Sequence, residues 1–256
     1  MRNRLREMID MTSEDEPPRI DLVWTRVARQ PRRERPVLSI DRIVTASVEL
    51  ADAEGLDAVS MRRIAAELGS GTTSLYRHVS NKDDLLDLMV DEIYGEFDPP
   101  DAPSGDWLAD LTLVARQGRA RMLQHPWLAS ITSSRPALGP NALRHAEFAL
   151  TAANPVHRDV TIVAMVLTAV QDFVLGATVA ELAEREAHRQ TGLTEEQWRA
   201  AVGPYIQRVI ESGDYPAISR RVRDAEEPGR EEQFELGLGC LLAGIAAKYA
   251  ATGVRS

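Results

Sequence analysis

A single cysteine, Cys240, excludes an internal disulfide and a metal centre built from several thiolates. It falls in an apolar helical stretch and is expected to be buried there as a small hydrophobe. Aromatic residues make up only 5% of the chain, and a charged fraction of 27% is ordinary for a soluble protein of one or two domains. No apolar run approaching membrane length stands out, and the opening MRNRLREMIDMTSEDE alternates charges without an apolar block. Both features lead us to expect a cytoplasmic protein with no signal sequence and no membrane partner. Enzyme motifs are missing as well: there is no GxSxG elbow, no P-loop and no HExxH helix. Neither a catalytic centre nor a cofactor is expected. The glycines at 237, 239 and 244 sit in a long apolar helical run with no strand before them, which is no dinucleotide fingerprint. His145 near Glu147 and His157 near Asp159 are expected to be surface pairs, so no metal is expected.

With 256 residues and 44% hydrophobic content the chain can bury a sizeable core. Its net charge of −9 argues against a nucleic-acid partner, whose phosphates need cations at the contact. The distribution reverses that inference. Residues 26 to 82 carry ten basic side chains against seven acidic ones, so the acidity lies elsewhere.

Inside that basic stretch, SMRRIAAELGSGTTSLYRHVSNK at 60–82 holds two short helical patterns broken by a glycine turn. Met61, Ile64, Ala65 and Leu68 form one apolar stripe, with Arg62 and Arg63 pointing away from it. Ser60 is placed to cap this helix, and Gly69 to end it in the left-handed conformation. A second helix opens at Thr72, where Leu75 and Val79 pack inward and Thr72, Thr73, Ser74, Tyr76, Arg77 and His78 are left outside. Hydroxyls and arginine near a helix N-terminus suit base edges in a major groove. Tyrosine, histidine and lysine suit phosphate oxygens. Lys82 follows Asn81, a good cap for the next helix, so its ammonium and that helix's free N–H groups can face one phosphate.

IDRIVTASVELADAEGLDAVS, MRRIAAELG, a short turn and TTSLYRHVSNKDDLLDLMVDEI together resemble the DNA-binding domain of the TetR family of transcriptional regulators. LYRHV followed by NKDDLL is most similar to the tetracycline-repressor branch. The close match covers about residues 39 to 96. A looser one runs through HPWL at 125–128, GP at 139–140, SGDYP at 212–216 and FELGLGCLLAGI at 234–245. The resemblance implies that Arg62, Thr72, Thr73 and Arg77 lie nearest the bases and that Ser60, Ser74, Tyr76, His78 and Lys82 hold the backbone. Ser70 departs from the family, where many relatives carry valine.

The expected architecture is all-α: an N-terminal three-helix helix-turn-helix domain with its linking helix at 39 to 96, and a C-terminal helical effector-binding and dimerisation domain at 104 to 256. Residues 1 to 38, with Pro17, Pro18, Pro31 and Pro36, read as a flexible basic extension, although 20 to 28 has the pattern of a short amphipathic helix. An arginine arm there is a candidate minor-groove contact. Body helices are expected at 105–124, 125–133, 138–153, 156–188, 194–212 and 230–251, separated by prolines and glycines including Pro216. The apolar stretches 160–182 and 234–250 fit a four-helix seam between two copies, or simply core helices. The family resemblance implies an effector pocket in the body, with Met122, His125, Trp127, His145, Phe148, Met165, Gln171, Phe173, Trp198 and Tyr205 as candidate lining. The function expected is a homodimeric repressor that binds a palindromic double-stranded DNA operator and is released by an unidentified small molecule. The rival is a helical partner-binding or scaffold protein whose head no longer reads DNA.

Overall fold

The computed structural model describes residues 22–27, 38–96, 98–131 and 137–249. Most of the extension expected at 1 to 38, its arginine arm included, lies outside the described residues, as do 132–133 of the expected helix at 125–133 and the end of the last helix. Among the described residues every regular element is helical.

The head is built around α2 (Ile40–Glu54), α3 (Met61–Glu67), α4 (Thr72–Tyr76) and α5 (Lys82–Gly95). Ser39 caps α2 by accepting the Arg42 N–H at 3.3 Å, and Gly55, at φ 86°, takes the chain off the helix. Ile43, Ile64, Leu75, Val79, Leu85, Met89 and Ile93 are wholly buried, so all four helices share one apolar centre. At roughly 1.5–3 kcal/mol for each large side chain buried, that centre outweighs the low intrinsic stability of helices as short as α3 and α4. The part of the extension that is described does not stand free. Residues Val23–Val27 form a short helix, α1, which packs on α5 with Val23 1% exposed and Arg26 paired to Asp84.

The body comprises α6 (Trp107–Gln124), α7 (Leu128–Ile131), α8 (Pro140–Ala153), α9 (Val160–Thr191), α10 (Glu195–Ser212), α11 (Pro216–Asp224) and α12 (Arg230–Tyr249). Asp106 caps α6 through the Leu108 and Ala109 N–H groups, and Thr194 with Gln197 forms a capping box on α10. Packed against α6, α8 and α12, α9 buries Val163, Val166, Leu167, Val170 and Val174. Head and body are continuous because α5 runs on against α8. There Asp91 accepts the Ala142 N–H at 2.9 Å and so caps α8 from a different helix. Burial raises the Asp91 carboxyl above its usual range, against the opposing pull of that N–H.

Four expectations need correction. Pro216 does not separate helices; it occupies the first turn of α11, where its missing N–H costs nothing. The helix expected over 125–133 is confined, among its described residues, to Leu128–Ile131, because His125 leaves helical geometry and Pro126 follows. Cys240 is exposed, on the face of α12 turned away from the core. And α9 does contain a window of membrane-spanning length, with mean hydropathy 1.9 and only 28% of it buried. Thr161, Thr168, Gln171 and Asp172 punctuate that helix and mask its average character.

Candidate nucleic-acid interface

Local physics assembles the reading surface from the ends of three helices. The Ser60 hydroxyl accepts the Arg63 N–H at 3.3 Å and starts α3. Gly69, at φ 60°, reverses the chain, and the Ser70 N–H closes the turn on the Ala65 carbonyl at 2.8 Å. Ser70, the residue that departs from the family pattern, therefore serves the turn through its backbone. With Gly71 ahead of it and no side-chain cap, α4 presents its first-turn N–H groups unshielded. Leu75 and Val79 anchor it from below with no exposure at all.

This anchoring turns the expected contact residues outward together. Arg62, Thr73, Tyr76, Arg77 and Lys82 are exposed, while Thr72, Ser74 and His78 are half-buried at the edge of the same surface. Ser60 is exposed at the start of α3. Arg62 and Arg63 separate sharply. Arg63 is tied to Glu54 at 2.7 Å and Glu67 at 3.5 Å, whereas Arg62 and Arg77 make no ion pair with a described residue. Two guanidiniums are thus left with their full donor forks for an outside acceptor. Asn81 accepts the Asp84 N–H at 2.8 Å to begin α5, and Lys82 stands exposed at the first position of that helix. A pairing missed by sequence reasoning lies beside it. Arg26 of α1 neutralises the buried Asp84, which removes a negative charge from the helix end expected to meet a phosphate. Its only sequence signal was the amphipathic pattern at 20 to 28.

The pocket candidates divide between the interior and the outer faces of α9 and α10. Met122, His125, Trp127, His145 and Phe148 are buried, and three of them, His125, Trp127 and His145, serve as anchors between head and body. Trp127 donates to Asp52 at 2.7 Å, and His145, rather than forming a surface pair with Glu147, approaches the Tyr94 carbonyl at 2.9 Å. Phe173 is half-buried and packs on Phe234. Met165, Gln171, Trp198 and Tyr205 are exposed on α9 and α10, with Met165 66% exposed. Helical spacing alone could not tell which of these side chains turn toward the core. Beside α8, an open groove of about 520 Å³ between residues 98–103 and Arg144, Glu147, Phe148 and Thr151 includes only one of the ten, Phe148.

Comparison with known proteins bears on this geometry directly. Residues 43–89 match the model of bacterial regulatory proteins of the tetR family, and residues 99–249 match the tetracyclin repressor-like C-terminal domain. The HTH-type transcriptional repressor DrrR1 of Streptomyces coeruleorubidus is 41% identical over 228 residues, covering 88% of this chain and 84% of that protein. An HTH-type transcriptional regulator of Saccharopolyspora erythraea is 37% identical over 228 residues, covering 88% of this chain and 91% of the relative. Among solved structures, Streptomyces coelicolor ActR in complex with actinorhodin superposes with a TM-score of 0.67 at 30% identity, covering 83% of this chain and 97% of ActR. With both of its halves matched and its reading helices in place, the chain belongs to the TetR family of bacterial transcriptional regulators.

Proposed function

We propose that this chain is a cytoplasmic, dimeric transcriptional repressor whose two heads read the half-sites of a palindromic operator and let go when a small molecule occupies the helical body. The observation that carries the DNA-binding role is the pair of exposed arginines, Arg62 and Arg77, on a helix-turn-helix held rigid by the fully buried Leu75 and Val79. Repression is supported by DrrR1, itself named a transcriptional repressor, and ligand response by ActR, solved with actinorhodin.

Pairing is supported by two faces that a single chain leaves in water. On α9, Val160, Met165 and Val179 are exposed, and on α12 Leu236, Gly239, Cys240, Ala243, Gly244 and Ala247 recur at helical spacing on the outer side. A side-chain carbon added at Gly239, Gly244 or Gly176 would meet nothing within 4 Å, so neighbouring backbones can approach closely there. A second copy of the same two helices would complete a two-fold four-helix seam and set the heads about one DNA turn apart. Such a partner also accounts for the apolar character of α9 without a bilayer. Light scattering at micromolar concentration tests this: a monomer that still bound a palindrome tightly would overturn the seam.

Release follows from a population shift. A ligand that prefers heads splayed apart lowers operator affinity by its differential binding, and a coupling of about 1–3 kcal/mol changes that affinity roughly 5- to 150-fold. As the helix shared by head and body, α5 is the lever. The arginine arm of the N-terminal extension is assigned to the minor groove beside the head. Because α1 packs on the head, the arm is best tested by replacing Arg29, Arg32, Arg33 and Arg35 with alanine together rather than by truncation. Operator binding should weaken and lose part of its salt dependence; unchanged binding across salt concentrations removes the arm from the account.

A further inference from the structure

Where head meets body there is a side-chain cluster that DNA reading leaves unused. His125, at the end of α6, is 4% exposed. Its Nδ1 lies 2.9 Å from both carboxylate oxygens of Asp52 on α2, and its Nε2 lies 3.0 Å from Oε2 of Glu96 at the end of α5. Two uncharged donors complete the arrangement: Trp127 Nε1 donates to Asp52 at 2.7 Å, and Gln124 Nε2 donates to Glu96 at 3.1 Å. Other ionisable groups face the cluster from the same helices. On α5, Glu92 lies one turn before Glu96, its carboxyl raised by burial and by the charges of Asp41 and Glu96. On α6, the Arg121 guanidinium is held over the Tyr94 ring, 4.6 Å from its centroid.

The stoichiometry of the ring decides what this cluster does. A neutral imidazole has one N–H and one lone pair, so between two carboxylates it makes one hydrogen bond and one repulsive contact. An imidazolium donates at both nitrogens, and both bonds are charge-assisted. Asp52 and Glu96 sit on two head helices while His125 belongs to the body, so the doubly protonated ring ties both helices to the body at one point. Both carboxylates keep part of their surface in water, which leaves a route for the proton to exchange. We propose that His125 is a proton-dependent clasp that fixes the reading head against the helical body, closed while both ring nitrogens carry protons and released when one is lost.

The test measures the distance between head and body within one full-length chain. Spin labels are placed on Ala66→Cys in α3 and Ala109→Cys in α6, both exposed alanines, in a Cys240→Ser background because the native thiol is exposed. Labelled chain is diluted with unlabelled chain, so that only the distance within one chain is read whether or not the protein pairs. Pulsed dipolar spectroscopy is recorded at about pH 6 and about pH 8. The clasp gives a narrow distribution at the lower pH and loss of the narrow peak at the higher one. His125→Gln should lack the narrow peak at both. Asp52→Asn should keep it at both, because the new amide can donate to an unprotonated Nδ1 while Nε2–H still faces Glu96. Circular dichroism melting identifies a glutamine variant that has lost its fold, and the asparagine variant, which preserves side-chain size, then carries the test. A wild-type distribution that is the same at both pH values, or a pH step that survives in Asp52→Asn, overturns the clasp.

Discussion

Arg62 and Arg63 are neighbours in sequence with opposite assignments, and the difference lies in what each touches. Arg63 is spent on Glu54 and Glu67, while Arg62 faces solvent. Arg62→Ala and Arg77→Ala should each weaken binding to a selected operator by about 1–3 kcal/mol and relax preference at the bases they contact. Arg63→Ala should cost far less, since it breaks an exposed ion pair. Fluorescence anisotropy with operator and scrambled duplexes separates the cases; equal losses for Arg62 and Arg63 would contradict the assignment. Lys82→Ala should weaken all duplexes alike and lower the salt slope by about one. Asp91 gives a pH test at the same scale. Its carboxyl is raised by burial, so the folded chain holds a proton at pH values where the unfolded chain has lost it. The stability that this proton contributes is present at acid pH and lost as pH rises through the carboxylate range. Asp91→Asn keeps an acceptor for the Ala142 N–H and should flatten that part of the melting-temperature profile; an unaltered profile assigns the pH dependence to other groups.

At the level of elements, the head was the legible part. Its helix caps Ser60 and Asn81, its turn glycine Gly69 and its inward pair Leu75 and Val79 announce themselves through spacing of three and four residues and through residue chemistry, both local signals. What failed were matters that depend on partners distant in sequence. Pro216 reads as a breaker until its place in the first turn of α11 is known. Cys240 reads as buried because its helix is apolar on every side, and only packing decides which side meets the core. Which of the pocket candidates turn inward depends on packing in the same way, and the His125 contacts with Asp52 and Glu96 join residues far apart in the chain. Helix α12 offers a direct test of its two faces. An added Cβ at Gly237 would fall 2.7 Å from the Phe173 ring, whereas at Gly239 it meets nothing within 4 Å. Gly237→Ala should therefore destabilise the fold by about 1–3 kcal/mol through overpacking. Gly239→Leu should leave the single chain folded and shift sedimentation toward monomer. Unfolding of the second variant at every protein concentration would place that face in the core instead.

For the molecule as a whole, charge and symmetry work together. A chain of net charge −9 whose residues 26–82 carry a basic excess should bind DNA only through its head, and weakly to duplexes that the head does not recognise. In the proposed dimer, two heads would square the specificity that a single short helix supplies and would impose symmetry on the site. Binding should therefore be steeply salt dependent, and it should fail for one half-site at concentrations where the full palindrome is saturated. The most direct measurement is selection of duplexes from a random pool by the full-length protein, followed by sequencing. We expect enrichment of a palindrome whose half-sites lie about one helical turn apart, and its disappearance when Arg62 and Arg77 are both replaced by alanine. A pool that stays random with folded wild-type protein, or a palindrome that survives the double replacement, would contradict the account at its centre.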